Sequence, residues 1–419
     1  MSKDFKNFKR IMEEIDKKKL IEITIRQQNV EQAFHSFDTK NHYTKEGQNN
    51  RLDFLKDHKG VELPILSNNS GIEDISVLKG NIENFIGFSK IPTGLAGPLL
   101  INGTEASGQY YIPLATTEGA LVASYNRGCK AASLGGGIRS ICISESVQRS
   151  PIFRFNNIIE LGQFLAWAVH QSEKFEEITA ASSNYAKLIN WKTNTEGNQV
   201  NLIFEFTTGD ASGQNMVTFC TSEICKYIIE NTPVKPSVWY IESNLSGDKK
   251  SNYQSFQNVR GKKVISEINI PRPIVEGVLR CTPEKMADYW QTSTVSLVQL
   301  GTIGIQGHIA NGLTALFIAT GQDVACISEV TVAVNRFSVT DDGGLYVSLT
   351  MPNLIVGTVG GGTSLPSQRE CLEIMDCYGA GNGKKFAEIC CALALAGELS
   401  IAAAIASGHF VMAHQKLGR

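Results

Sequence analysis

The chain predicts an α+β fold: a large mixed α/β domain with a long central helix, a ferredoxin-like βαββαβ domain and an N-terminal helical segment. Three observations predict it. Residues 151–241 carry apolar patterns in the order strand, helix, strand, strand, helix, strand, the order of a split βαβ sandwich. Residues 113–137, PLATTEGALVASYNRGCKAASLGGG, read as one long helical pattern closed by three glycines. After residue 242 mixed character returns, with a strand, helices, a hairpin and two last helices. The 419 residues therefore divide into 1–80, an N-terminal helical segment; 81–150 with 242–419, the large domain; and 151–241, the small one.

The elements follow from local pattern. Charged helical stretches fill residues 1 to about 60, and LPILSNNSGIED marks a loop. In ENFIGFSKIPTGLAGPLLING, residues 83–103, glycine or proline recurs every few positions. Such backbone is extended, and suits either a ligand or subunit contact or a plain surface loop. In the small domain, IFRF reads as a strand, and 159–175 as a helix with Leu161, Phe164, Leu165 and Ala168 on one face. Strands at 186–192 and 199–206 follow, the second alternating at Val200, Leu202, Phe204 and Phe206. Asn194, Gly197 and Asn198 turn the chain between them. A helix over 212–230 and the strand SVWYI complete the unit. Beyond it come a strand at 262–270, helices between about 284 and 320, a hairpin across DDGG, the loop GTVGGGTSLP and two helices.

Composition excludes several classes. A net charge of −2 offers no basic face for nucleic acid. The N-terminus, MSKDFKNFKRIMEEIDKKK, has no apolar core of a secretory signal. Ten cysteines show neither a CxxC pair nor Cys/His metal spacing, so reduced core thiols are expected. The apolar run from Cys390 to Gly408 approaches the length of a membrane span, but Glu398 and its many small residues assign it to a packed interior. A cytoplasmic protein without a structural metal, nucleic-acid partner or membrane partner is the expectation.

Four polar positions stand out against apolar or glycine-rich surroundings: Glu118, Lys249 in SGDKK, Asp323 in TGQD, and His414. Two acids, an amine and an imidazole make an acid/base set with an electrophilic cation. Each has a plain alternative: a solvated glutamate, a loop lysine, a capping aspartate, a surface histidine. Ser124, Asn126 and Arg127 form a polar set one to two turns beyond Glu118. TTGDASGQNM (207–216) and GTVGGGT (357–363) suit phosphate, because backbone N–H groups and a helix start attract anions. Neither is a Walker loop or a conventional GxGxxG strand–helix turn.

In order, ENFIGFSKIPTGLAGPL, ATTEGALVASYNRGCKA, GDASGQNM, DKK, GQD, TMPNLIVGTVGGGT and GELSIAAAIASGHFVMAH resemble the signature segments of the 3-hydroxy-3-methylglutaryl-CoA reductase family, class I-like in its DKK. The match covers roughly residues 80 to 414. The resemblance implies NADPH-dependent, four-electron reduction of an acyl-CoA thioester to a primary alcohol with release of CoA, with NADH the alternative nucleotide. It implies that Glu118 donates protons, Lys249 stabilises the oxyanion, Asp323 tunes both, and His414 protonates the departing thiolate. It assigns Asp210, Ser212, Gln214, Asn215, Gly360, Gly361 and Arg419 to the nucleotide. Ser124, Asn126, Arg127, Arg149, Asp248, Lys250, His308 and Asn311 fall to the substrate. It further implies that the small domain is an NADP-binding insertion, and that active sites are shared across a homodimer or homotetramer.

Departures from the family pattern gather in one place. DKKP reads DKKS, and the serine pocket segment reads Glu242-Ser243-Asn244. No lysine lies between Lys285 and His308, where the family carries one for the substrate's distal carboxylate. Ile355 replaces the usual acid of that motif, and GQDAAQN reads GQDVACI. Losing a charge-assisted partner costs about 1.5–3 kcal/mol. The family resemblance nonetheless makes reduction of hydroxymethylglutaryl-CoA to mevalonate the leading expectation. A relative acting on another acyl-CoA or carrier-bound thioester, and a non-catalytic binding or structural paralogue, are the alternatives.

Overall fold

The computed structural model describes residues 45–65 and 88–410, together with 13, 37, 78, 80–82 and 84. His414 and Arg419 lie outside the described residues, as do most of the N-terminal segment and most of ENFIG. Of the expected N-terminal helices, α1 (Lys45–Lys59) is described. It buries Leu55 against Phe37, Leu63 and Tyr111.

β1 (Thr93–Gly103) and β2 (Ser107–Ala115) form an antiparallel hairpin. Its register slips between Ala96 and Leu99, where the Gly97–Pro98 bond is cis. The glycines and the proline that read as a turn-rich stretch belong to this irregular strand. β2 also claims the start of the expected 113–137 helix. Pro113 pairs with Leu95 and Ala115 with Thr93, and Tyr110, Ile112 and Leu114 are buried. Helix α2 (Leu121–Leu134) begins only after Ala120, which is left-handed at φ 68°. Pairing with β1 therefore wins over helical periodicity as far as Ala115, and every residue from Tyr110 to Ala115 is buried. β3 (Ile138–Arg149) starts parallel to β1 at Ile101–Gly103.

The small domain contains β4 (Ile152–Arg154), α3 (Ile158–Ala168), α4 (Ser172–Ser182), β5 (Lys187–Glu196), β6 (Gln199–Thr207), α5 (Gln214–Asn231) and β7 (Val238–Tyr240). Its strands lie in the order β7-β4-β6-β5, every pair antiparallel. The expected 159–175 helix is two helices. Asn157 caps α3 by accepting from the N–H groups of Ile159 and Glu160. The break at 169–171 turns Phe175 edge-on to Trp191 and Phe204. Phe153, Phe164, Phe204, Val217 and Ile224 are buried in this domain's own core.

β8 (Gly261–Ile270), α6 (Pro283–Leu300), α7 (Ile309–Thr320), β9 (Val334–Val339), β10 (Leu345–Leu354), α8 (Pro366–Ile374) and α9 (Gly383–Ala406) complete the large domain. β8 pairs with both β3 and β10, and β10 with β9. The last residues of β3, Val147–Arg149, pair instead with β6. One strand thus joins the two halves into a single ten-stranded sheet.

The long central helix is α9, not the 113–137 stretch. Among the described residues it alone is long and apolar enough to cross a membrane, yet 83% of that apolar window is buried inside the protein. Each large side chain it buries, such as Leu393, Leu395 or Leu399, contributes about 1.5–3 kcal/mol. Its small residues admit close neighbours. A Cβ on Gly128 of α2 would lie 1.8 Å from the Ala396 carbonyl oxygen. Tyr125 slots between Gly312 and Gly397, either of which would strike its ring if it carried a Cβ.

Candidate active site

Helix α7 carries polar groups at both ends. At its start, the buried Glu398 of α9 accepts from the N–H groups of Gly307 at 2.5 Å and His308 at 2.8 Å, and from Asn335 Nδ2 at 2.5 Å. These otherwise orphaned donors at a helix start find a carboxylate in the core. His308 Nε2 lies 3.0 Å from the Gly397 carbonyl oxygen and its ring meets Tyr125 edge-on, so His308 is braced on α9. One turn on, Asn311 Nδ2 donates to Glu118 Oε1 at 3.2 Å. Glu118 is exposed and lies in the loop before α2, not on a rigid apolar helix. Thr116 Oγ1 accepts its N–H and fixes that loop.

Just past the other end of α7, Asp323 Oδ2 is 2.9 Å from Lys249 Nζ. Its second oxygen accepts from the Ala325 N–H. The hydrogen bond that Lys249 donates to Asp323 holds the Lys249 pKa above its ordinary value, against the opposing effect of partial burial. Lys249 itself is left-handed, at φ 57°. Its N–H donates to Glu329 Oε1 at 3.0 Å, and Glu329 is fully buried. Glu329 Oε2 pairs with Arg260 Nε at 2.7 Å. Burial pushes the Glu329 carboxyl upward, with Arg260 pulling the other way. Asp248 bridges Arg260 at 2.5 Å and Arg149 at 3.1 Å. Burial alone would raise the Asp248 pKa, but the two guanidiniums outweigh it and hold it low. Arg149 also meets Glu242 at 3.3 Å and donates to the Gln214 carbonyl at 3.0 Å. Lys250 Nζ folds back to the Asp248 carbonyl.

The two glycine segments meet. A Cβ on Gly357 would lie 2.6 Å from Ser212 N and 2.9 Å from the Asp210 oxygen. Thr358 N–H donates to that same oxygen at 2.8 Å. Beside this seam α5 begins after the left-handed Gly213, with no side-chain cap on its first N–H groups. Gly360 and Gly361 are exposed, at positive φ, with open space where a Cβ would be. Uncapped N–H groups beside bare glycine backbone fit the phosphates of a dinucleotide. Ser212 and the exposed Asn215 stand at this edge. Asp210 is committed elsewhere: its carboxylate accepts from Gly381 and Gly383, at 2.7 and 2.8 Å, and ties the segment to the start of α9. The Gln214 side chain is likewise committed, accepting from Arg260 at 2.8 Å.

The α2 polar set is distributed differently. Asn126 Oδ1 accepts the Gly97 N–H and braces the β1 irregularity. Ser124 Oγ and Arg127 Nε both reach Ser400 Oγ, at 2.9 and 3.1 Å, and so bind α2 to α9. The structure therefore brings Glu118 to Asn311, Lys249 to Asp323, and Arg149 to Asp248 and Gln214. Sequence reasoning passed over Arg260 and Glu329. The one available signal was a lone acid, Glu329, inside the apolar run VACISEVTVAV.

A nucleotide-accepting seam, an ammonium paired with a carboxylate and a separately held acid define an acid–base enzyme of the two-domain nucleotide-dependent kind. Residues 47–419 match the family described as Hydroxymethylglutaryl-coenzyme A reductase. The chain is 46% identical over 357 residues to the 3-hydroxy-3-methylglutaryl-coenzyme A reductase of Pyrococcus horikoshii, covering 83% of this chain and 86% of that one. It is 39% identical over 375 residues to that of Methanocaldococcus jannaschii, covering 88% and 92%. The fold is similar to the NADPH-bound class II enzyme of Streptococcus pneumoniae, with a TM-score of 0.66, 17% identity and coverage of 85% and 96%. The chain belongs to the hydroxymethylglutaryl-coenzyme A reductase family.

Proposed function

We propose that this chain reduces 3-hydroxy-3-methylglutaryl-CoA to mevalonate, consuming two NADPH and two protons and releasing two NADP⁺ and CoA. The Lys249–Asp323 pair, 2.9 Å long and backed by Glu329, is the observation that carries this reading. When bound at the seam, NADPH would supply the hydride for each of the two reduction rounds. Negative charge then builds on the carbonyl oxygen, and the Lys249 ammonium offsets it. Asp323 raises the pKa of that ammonium and so favours its charged form. Glu118 delivers the proton that the reduced oxygen needs, steadied by Asn311. His414, assigned from its sequence motif, protonates the leaving thiolate, whose free pKa is about 8.5. Ser212, Asn215 and the first N–H groups of α5 would hold the nucleotide phosphates.

Geometry supports a site shared between subunits. Asn311 and Asp323 stand at opposite ends of α7, whose 12 residues span about 18 Å. Glu118 and Lys249 are held at those opposite ends, so a second copy of the chain, in a homodimer or homotetramer, supplies the missing member to each. We assign the enzyme to a reducing compartment, the cytoplasm, on its ten cysteines, all of them free thiols.

One observation favours a second reading, in which the substrate is a thioester less acidic at its distal end. Glu242 pairs with Arg149, the guanidinium assigned to the substrate. A carboxylate there competes with the free carboxylate of hydroxymethylglutarate. Anaerobic assays with hydroxymethylglutaryl-CoA decide between the two. Two NADPH oxidised per thiol released, at ordinary efficiency, supports the first reading; turnover only of neutral or amine-bearing thioesters supports the second.

A further inference from the structure

Arg260 and Glu329 are among the most deeply buried charges in the molecule, at 3% and 0% exposed. They come from separate places, the residue before β8 and the short helical turn Ile327–Val330. Beyond Glu329, the Arg260 guanidinium reaches three other groups. Nη1 donates to the Gln148 carbonyl at 3.2 Å, and Nη2 to Gln214 Oε1 at 2.8 Å and Asp248 Oδ1 at 2.5 Å. The free oxygen of Glu329 takes the Lys249 N–H. One ion pair therefore touches the Lys249 loop, the first residue of α5 and the strand β3.

Stability alone does not explain such a pair. Burying two charges costs desolvation, and apolar residues of similar volume often serve the fold equally well. What the pair enforces is geometry. A left-handed lysine is strained, and such a conformation persists only where its surroundings over-determine it. The Lys249 N–H bond to Glu329 supplies that constraint, and Arg260 carries it across to Gln214 at the start of α5.

We propose that Arg260 and Glu329 are positioning residues for the reduction, holding the Lys249 ammonium in fixed register with the nucleotide-facing end of α5. The inference rests on the role assigned to Lys249 above. It predicts that the pair is dispensable for folding but not for turnover.

The test is the full-length double variant Arg260→Met/Glu329→Leu, assayed for thermal unfolding, NADPH binding, kcat and crystal structure. The expected result is a folded protein that binds NADPH within about threefold of the original, with kcat reduced about 10- to 100-fold by misplacement. In its crystal structure the Lys249 loop has shifted away from Asp323. A folded variant with undiminished kcat, or one whose Lys249 loop has not moved, overturns the proposal. If the apolar pair does not fold, Glu329→Gln is read by the same two measures. Lys249→Met is run alongside. If it leaves kcat intact, the reading of Lys249 fails, while the loop position in the double variant still reports on the positioning itself.

Discussion

The two ends of α7 present charges in opposite ways. At the N-terminal end the buried carboxylate, Glu398, serves the backbone, and the exposed acid, Glu118, is held by a single side-chain amide. At the C-terminal end the exposed ammonium, Lys249, is fixed through its backbone by Glu329 and through its Nζ by Asp323. The difference suits the two jobs. A proton donor must lose and regain its proton, and each change of charge is easier where solvent reaches it. A cation that stabilises an oxyanion must keep both its charge and its place.

The sharpest way to break this comparison is Lys249→Met. It is expected to lower kcat about 100- to 1,000-fold, read as NADPH oxidation at saturating substrate. A loss below tenfold would remove the functional meaning of the rigid end. Glu398→Leu tests the other end through stability. It strands the N–H groups of Gly307 and His308 together with the Asn335 amide, and should cost about 3 kcal/mol in chemical denaturation. Asp323→Asn is expected to lower kcat about 10-fold or more. It also has a pH signature. Asp323 raises the Lys249 pKa, so its removal lowers that pKa, and the alkaline limb of the kcat profile moves to lower pH. A limb that stays in place would separate the two residues functionally. The smallest effect belongs to Asn311→Leu. Losing one neutral donor to an exposed carboxylate is worth about 1 kcal/mol, or about fivefold in kcat, with little change in melting temperature.

Much of the frame was legible in the sequence where strand pattern and turn residues agree. Val200, Leu202, Phe204 and Phe206 are all buried in β6 as their alternation predicts, although the residues between them are buried as well. It was illegible where two periods overlap. Pro113–Ala115 satisfies a helical pattern but is buried by β1, and only the pairing partner decides. The 159–175 pattern likewise hides a break set by where Phe175 must turn. Within the candidate site, residues in glycine-rich or polar clusters stood out, among them Lys249, Asp323 and Ser212. Arg260 and Glu329 did not, because neither has a local pattern. They are 69 residues apart and meet only through the fold. Asp210 shows the converse: a conspicuous motif acid that spends its charge on the start of α9.

The strand β3 has a mechanical consequence. A domain strung on flexible linkers swings as a rigid door, with its hinge in the linker. Here the backbone from Ile138 to Arg149 is laddered to β8 on one side of the junction and to β6 on the other, with a register slip between Cys142 and Ser144. A strand so fastened ties the two halves together through backbone hydrogen bonds rather than through a linker, and the register slip at Cys142–Ser144 is the one irregularity in its ladder to β8.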